Sequence, residues 1–505
     1  MIDAITHQKA TRRQWIALSI LVLPTLLVSM DMTVTYLALP VLSAALKPTS
    51  SELLWITDIF GFFEAGLLIV MGSLGDRVGI KKMLLLGATA FTAASVFAAF
   101  APSAFWLIVA RAVMGIAGAA ILPTVLSLIR NMFHNDTERT FAMGLYTTCF
   151  SSGTMLGPII GGFLLSHFWW GSIFLMPVPL ILILLAAAPA LLPEFKDHRA
   201  KSIDLLSSAL LILGTLAAIF GIKQIAQNGP GALPVLVVVA GVLVGVFFVK
   251  RQQKLQHPLI DLELFKIKGF FIALTALFIG LFSWAGIFLF VGQYLQSVIG
   301  ISAFAAGLWM LPGALGSVLL CMLAPVAIKY FSRGRVITFG LTVLAAGIFL
   351  LCLLTTHSLW LLVVCSFMIS GGCGLTVTLG IDKVVASAPP NKAGAAAGIS
   401  ETSTTFGASL GVALLGCIWT AFYRNDISTT IPTGLSAHQI ETVKNTIGSA
   451  VVQAKNLHNQ ALLSLAKQAF VHALHITAFF SALAVVVVAV LVAVKFKDKT
   501  VVAIG

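Results

Sequence analysis

Of the 18 Asp and Glu residues, only Asp31, Asp58, Glu64 and Glu401 lie well inside apolar runs, while Glu52, Asp204 and Asp382 lie nearer the ends of such runs. Asp31 is the most isolated. The stretch WIALSILVLPTLLVSMDMTVTYLALP, from Trp15 to Pro40, carries no other charge and is long enough to cross a bilayer as a helix. A carboxylate at that depth faces hydrocarbon or a water-filled path, and its cost makes function the default explanation. Arg111 lies in the fourth run, beside Gly115, Gly118 and Ala119. It needs a carboxylate, a carbonyl or water there, unless its flexible stem snorkels to the nearer interface. Asp58 and Glu64 are six positions apart and so point about 240° apart on a helix; they cannot both face one cavity squarely. Glu401 interrupts the small-residue run Gly394, Ala395, Ala396, Ala397, Gly398, about two turns from the inner helix end. Trp284, Trp309 and Phe282 offer π-faces to a cation or pack against lipid. Asp382 and Lys383 read as a pair at an inner helix end, where charge costs little. The histidines show no metal-ligand spacing. There is no phosphate-cradling loop and no nucleophile elbow, so an ATP-driven or hydrolytic mechanism has no support, and no metal or cofactor is expected.

The elements that position these groups follow from composition. The 505-residue chain is 59% hydrophobic and 10% charged, and its mean hydropathy is +1.03. It is therefore an all-α, multi-pass membrane protein. Apolar runs give fourteen spans, near 14–37, 51–72, 83–101, 105–130, 140–165, 171–192, 204–225, 231–249, 269–294, 304–328, 336–354, 359–384, 394–422 and 472–494. With the N-terminus inside, 24 of the 31 Lys and Arg fall on inner loops and ends. Only Lys47, Arg424, Lys444, Lys455 and Lys467 lie outside, and Arg111 and Lys223 lie within spans. Both termini are thus cytoplasmic, and the net charge of +13 is a topology signal and not a nucleic-acid footprint. The six cysteines sit in apolar segments without C-x-x-C spacing and read as packing residues. The first apolar run is too long for a signal peptide and stays as a span.

Gly144, Gly153 and Gly157 recur as Gly398, Gly407 and Gly411, each 254 positions on, and Gly87 recurs as Gly340 within one residue of that offset. Six spans need less chain than this, which leaves room for two spans between two six-span halves. The expected division is 1–202 for the first half, 203–268 for two inserted helices and an inner linker, and 269–505 for the second half with a long outer loop at 424–471. Thr147, the counterpart of Glu401, is neutral, so that acid is a local specialisation. In the outer loop, Ser436 to Gln439 forms a capping box, and Ile440, Val443, Ile447, Val451 and Ala454 follow at helical spacing. The pattern predicts one amphipathic helix lying on the outer membrane face; a docking surface for an outer partner is the other reading.

Three motifs identify a family. Gly72, Gly75, Asp76, Arg77, Gly79, Lys81 and Lys82 form G-x-L-G-D-R-x-G-x-K-K, which resembles the signature loop of the major facilitator superfamily. Arg111 with its small neighbours resembles that family's fourth-span arginine motif, associated with proton transfer. Gly153, Gly157, Pro158, Gly161 and Gly162 form G-x-x-x-G-P-x-x-G-G, which is similar to the motif of the antiporter branch. Fourteen spans, Met30–Val34 with Ala38–Pro40, and Leu54–Ile59 together resemble the fourteen-span drug:proton antiporters, especially the quaternary-ammonium and methyl-viologen resistance exporters.

The resemblance implies a major facilitator fold in a bacterial cytoplasmic membrane, with acids matching Asp31, Asp58 and Glu401 acting in coupling or cation recognition. Asp58 is then the acid expected to face the cavity, and Glu64 is a second cation site or a partner for a neighbouring helix. Asp31 with Arg111 is expected to carry the proton; Asp58, Glu401, Glu64, Trp284 and Trp309 are expected to hold lipophilic cations. The proton gradient is the energy source, the protein is not an enzyme, and a monomer is expected. The alternative is an uptake permease for a small metabolite on the same fold.

Overall fold

The computed structural model describes residues 10–133, 135–196, 204–255, 258–389, 392–430 and 435–496. Lys9, Arg199, Lys201, Lys497 and Lys499 of the topology count, and the boundary at 202/203, lie outside the described residues, as does the side chain of Thr147. Among the described residues, fourteen helices are long and apolar enough to cross a membrane. The first six are α1 (Arg12–Leu46), α2 (Ser50–Val78), α3 (Ile80–Ala99), α4 (Ala104–Met132), α5 (Phe141–His167) and α6 (Ser172–Leu191). The inserted pair is α7 (Leu205–Asn228) and α8 (Ala232–Lys254). The last six are α9 (Lys268–Ile299), α10 (Ala303–Tyr330), α11 (Arg333–Leu353), α12 (Leu359–Ser387), α13 (Ala396–Thr430) and α14 (Gln460–Lys495).

Several helices outrun the apolar stretches because their ends are capped. Thr11 and Gln14 form a capping box at the start of α1, and α1 ends on left-handed Lys47 at φ 47°. Thr49 and Glu52 form the box that starts α2. Glu52 is therefore spent on a helix cap, accepting from the Thr49 amide at 2.8 Å.

The two halves are built alike. In the first, α1 packs on α5 and both α2 and α3 pack on α4; in the second, α9 packs on α13 and both α10 and α11 pack on α12. The repeated glycines make these contacts. A Cβ at Gly153 would lie 2.4 Å from the Leu26 carbonyl on α1, and one at Gly411 would lie 1.9 Å from the Phe282 carbonyl on α9. Gly87 packs α3 on α4 with Ala117 O 3.2 Å from its Cβ position, and Gly340 packs α11 on α12 with Gly372 O at 3.1 Å. Such small-residue seams let helices approach backbone to backbone, where dispersion replaces the missing hydrophobic drive.

The halves meet at α2 against α13 and at α5 against α10. The close approaches lie toward the outer side. Leu54 fits Gly416, the Pro158 carbonyl would be 2.1 Å from a Cβ at Gly307, and Ala303 O would be 2.6 Å from one at Gly162. Gln296, in the π-helical last turn of α9, donates to Leu37 O at 2.6 Å. The outer residues Tyr36, Leu37, Leu39, Leu53 and Leu54 belong to the apolar core of the second half. This is an arrangement closed to the outside.

The outer segment differs from the sequence expectation. The Ser436 capping box is present, but the helix breaks at Thr446 into Ala437–Asn445 and Ile447–Asn456. The apolar stripe of both turns toward the protein. Val443, Ile447, Ala450 and Ala454 are buried against protein, and the two halves share the load. Thr446 hydrogen-bonds Ser43 of α1, Ser50 Oγ donates to Asn445 O at 2.6 Å, Tyr423 Oη donates to Val443 O at 3.2 Å, and Arg424 pairs with Glu441 at 2.9 Å. The apolar stripe needed cover, and the outer ends of the bundle supplied it. α13 and α14 continue outward as helices, to Thr430 and from Gln460, so their ends occupy part of 424–471.

Candidate functional site

Arg111 reaches Asp31 because Gly115, one turn along α4, lets α4 lie directly on α2: a Cβ there would be 2.3 Å from Phe60 O. The guanidinium Nη1 donates to Asp31 Oδ2 in a buried ion pair. Its Nε donates to Ile56 O at 3.2 Å, and its carbon sits 4.8 Å from the Phe60 ring centroid. Arg111 thus ties α1, α2 and α4 together. It does not snorkel: its side chain is 1% exposed. Asp31 keeps its polar surroundings local, its own carbonyl accepting from Thr35 Oγ1 at 2.8 Å.

Seven residues further along α4, on the same helix face, Gly118 leaves room for Glu64. Its Oε1 lies 3.2 Å from where a Cβ would stand. Glu64 is buried, and its Oε1 has no hydrogen-bond partner among the described residues. The two acids therefore occupy levels about 10 Å apart along α4, at 1.5 Å per residue. Glu64 interacts electrostatically with Glu401 of α13 and with Asp31. Tyr146 of α5 is within electrostatic range of both glutamates. Glu64 of α2, Tyr146 of α5 and Glu401 of α13 thus lie within electrostatic range of one another.

Asp58 has a partner that its expected place at the cavity did not include. It pairs with Lys223 of α7, whose Nζ is 2.8 Å from Oδ2 and 3.1 Å from Oδ1. Lys223 Nζ also sits 3.6 Å from the centroid of the Trp55 ring. Periodicity along α2 alone gives no hint that an inserted helix docks on that face. Lys223, Tyr36 and Tyr146 are functional candidates that the sequence analysis passed over; of these, only Lys223 left a signal, as a lone cation inside a span.

A family model described as Major Facilitator Superfamily matches residues 21–412. The chain belongs to the major facilitator superfamily. It is 39% identical over 490 residues to the multidrug efflux pump LfrA of Mycolicibacterium smegmatis, covering 96% of this chain and 97% of that one. It is 33% identical over 469 residues to the methyl viologen resistance protein SmvA of Salmonella typhimurium, covering 91% and 93%. A solved bacterial homologue of the human lysosomal transporter Spinster, inward-facing and unoccupied, shares the fold at TM-score 0.67 and 17% identity, covering 97% of this chain and 99% of that one. This facilitator-superfamily chain is a multi-pass membrane transporter.

The family's signature loop is held by α6. Gly79 adopts φ 127°, a conformation that favours glycine, and its Cβ position is 2.8 Å from Glu194 Oε1. Glu194 accepts from the Lys81 amide at 3.0 Å, and Lys81 Nζ donates to Pro189 O at 2.7 Å. Gly72 and Gly75 pack this end of α2 on α4, with Pro123 Cβ and Thr124 Cγ2 at 3.4 and 3.1 Å from their Cβ positions. In the antiporter motif, Gly157 fits Thr33 and Gly161 fits Val34 of α1. At the inner ends, Asp382 pairs with Arg333 at 3.0 Å, and its neighbour Lys383 lies over Phe496 at 5.2 Å.

The aromatic expectations separate. Trp284 of α9 stacks on Phe288 at 5.0 Å and donates to Ser370 Oγ at 3.1 Å. Phe288 meets Tyr36 of α1 edge-on at 6.0 Å, so Trp284, Phe288 and Tyr36 bridge the halves. Tyr36 stands five residues outward of Asp31, which makes this group a roof above the ion pair. Trp309 is not deep: it packs edge-on at 5.2 Å against Trp360, near the outer ends of α10 and α12, and Trp360 is 72% exposed.

Proposed function

We propose that the chain is a proton-coupled multidrug efflux antiporter of a bacterial cytoplasmic membrane, exporting lipophilic organic cations such as quaternary ammonium compounds, viologens, cationic dyes and bisbiguanides. The observation that carries this reading is the buried Asp31–Arg111 pair standing one level outward of Glu64, a buried acid without a hydrogen-bond partner for one oxygen. The names of the two relatives, an efflux pump and a viologen resistance protein, agree with it.

In the outside-closed arrangement, Asp31 stands in a buried ion pair with Arg111. Protonating Asp31 from the outside removes the charge that Arg111 pairs with. That loosens the tie among α1, α2 and α4 and biases the rocking of the halves. Glu64 and Glu401 supply negative charge to a cationic cargo on the cytoplasmic side. The Tyr36, Phe288 and Trp284 roof limits its outward travel and offers π-faces. Cargo and proton thus bias opposite ends of one two-state motion, which is what exchange requires.

The test is cation movement in inverted membrane vesicles under an imposed pH gradient, with and without an uncoupler. Uncoupler-sensitive accumulation of ethidium and methyl viologen, with no movement of anionic dyes, is expected. Movement of neutral or anionic compounds alone would sink the cation reading. Concentrative uptake of a nutrient by whole cells would favour the permease.

A further inference from the structure

The inserted pair is more than an appendage. α7 packs on both α2 and α13, covering the outward-lying seam between the halves from the lipid side, and α8 packs chiefly on α7. The α2–α7–α13 junction is apolar, built from Phe62, Ile219 and Ala413 with Trp55 and Phe406 beside them. Gly66 brings α7 close, its Cβ position 2.4 Å from an Ile212 side-chain carbon. A helix retained for such packing alone needs no ammonium inside the bilayer. Lys223 nonetheless sits there with its whole side chain buried, ion-paired with Asp58 at 2.8 Å and capped by Trp55, while Asp58 Oδ2 makes no hydrogen bond among the described residues. Asp58 shares its α2 face with Leu54 and Gly61, the residues that fit Gly416 and Ser409 of α13. The pair therefore stands at the seam between the halves.

We propose that Lys223 is the standing counter-ion of Asp58 and a positioning residue for transport: it fastens α7 to the first half, so that the lateral wall travels with α2 while α13 slides against its apolar face. This rests on the cation-export reading. It reassigns Asp58 from the cargo to the wall, and leaves Glu64 and Glu401 as the cargo acids. The physical argument is one of exchange. A cargo cation taking Asp58 would strand the Lys223 ammonium among aromatic and aliphatic groups, and an uncompensated buried charge costs far more than a well-paired one. The α13 face opposite, where Ala413 and Leu414 lie, offers that ammonium no carboxylate.

The test compares Asp58→Asn, Lys223→Met, the double variant D58N/K223M and the exchanged variant D58K/K223D, in full-length protein. Ethidium transport in inverted vesicles and thermal unfolding of the purified protein are both read. Each single variant is expected to lose at least about tenfold in transport rate and to unfold at lower temperature, because one buried charge is left alone. The neutral double variant is expected to recover to within about threefold of the parent, with the ethidium KM unchanged. If Asp58 touches cargo, the double variant stays as slow as Asp58→Asn or its KM rises about tenfold, and the proposal is overturned. Additive loss of thermal stability in the double variant overturns it as well, even in a protein that moves no ethidium. A parent protein without gradient-driven cation movement fails the export reading separately, while the unfolding cycle still decides the pair. The exchanged variant serves where Lys223→Met does not fold.

Discussion

Asp31→Asn separates coupling from folding. The substitution keeps the shape and one acceptor, so Arg111 retains its bonds to Ile56 O at 3.2 Å and to the amide oxygen, and its place over Phe60. What is lost is the charge. With Arg111 and Asp31 only 1% and 3% exposed, full loss of the partner would cost about 3–5 kcal/mol. A neutral acceptor recovers part of that, which leaves a cost of about 1.5–3 kcal/mol, the range for a hydrogen bond to a charged group. The protein is thus expected to fold with a lowered unfolding temperature. Coupling is expected to vanish. A gradient of about two pH units supplies about 2.7 kcal/mol per proton, and Asp31→Asn should harvest none of it. In inverted vesicles, ethidium should fail to accumulate under the gradient, while exchange of labelled for unlabelled ethidium at equal concentration continues. If Asp31→Asn still concentrates ethidium in proportion to the imposed gradient, the proton is carried elsewhere and the reasoning fails.

Two further outcomes follow from the seams. Gly157→Leu and Gly411→Leu insert bulk where a Cβ already meets Thr33 Oγ1 at 2.1 Å or Phe282 O at 1.9 Å. Each should cost at least about 1–3 kcal/mol in thermal unfolding, whereas Gly398→Ala, with nothing within 4 Å of its Cβ position, should be silent. The outer cap should act as a clasp on the outside-closed form. Oxidising Ser43→Cys with Thr446→Cys, whose hydroxyls are in contact, should stop transport until a reductant is added, and full transport by the cross-linked protein would refute this.

Much of the fold was legible because hydrocarbon enforces its own grammar: apolar runs mark spans, basic loops mark the inside, and glycines at a common offset mark the repeat. Gly153 and Gly407 each pack against the first helix of their own half, as the offset suggested. The site was legible where a charge sat alone in a span, as for Asp31, Arg111 and Glu64. Partner choice was not. Nothing in the spacing of α2 says that Asp58 meets Lys223, since the two are 165 positions apart and meet only because α7 folds back over the seam. The outer segment misled for a related reason. Its stripe of Val443, Ile447 and Ala454 is apolar on one side, a pattern that a lipid interface and a protein surface satisfy equally, and at the break Thr446 both caps the second helix, accepting from the Ser449 amide at 3.0 Å, and meets the hydroxyl of Ser43 far away in the chain.

The charge inside the bundle carries a last consequence. Four acids, Asp31, Asp58, Glu64 and Glu401, face two cations, Arg111 and Lys223, among the described span interiors. Each cation is matched to one acid, so Glu64 and Glu401 lack a fixed counter-charge within the spans. Two like charges within electrostatic range of one another in a site of low dielectric repel and are poorly solvated. On the proposed cation-export reading, a cationic cargo would supply the missing charge and displace a proton. Binding of ethidium to purified protein in weakly buffered detergent solution should therefore release about one proton per cation, with affinity rising as pH rises. Glu64→Gln and Glu401→Gln should each diminish that release, and Asp31→Asn should leave it intact. Release that disappears in Asp31→Asn but persists in both glutamine variants would mean that proton and cargo compete for Asp31 itself.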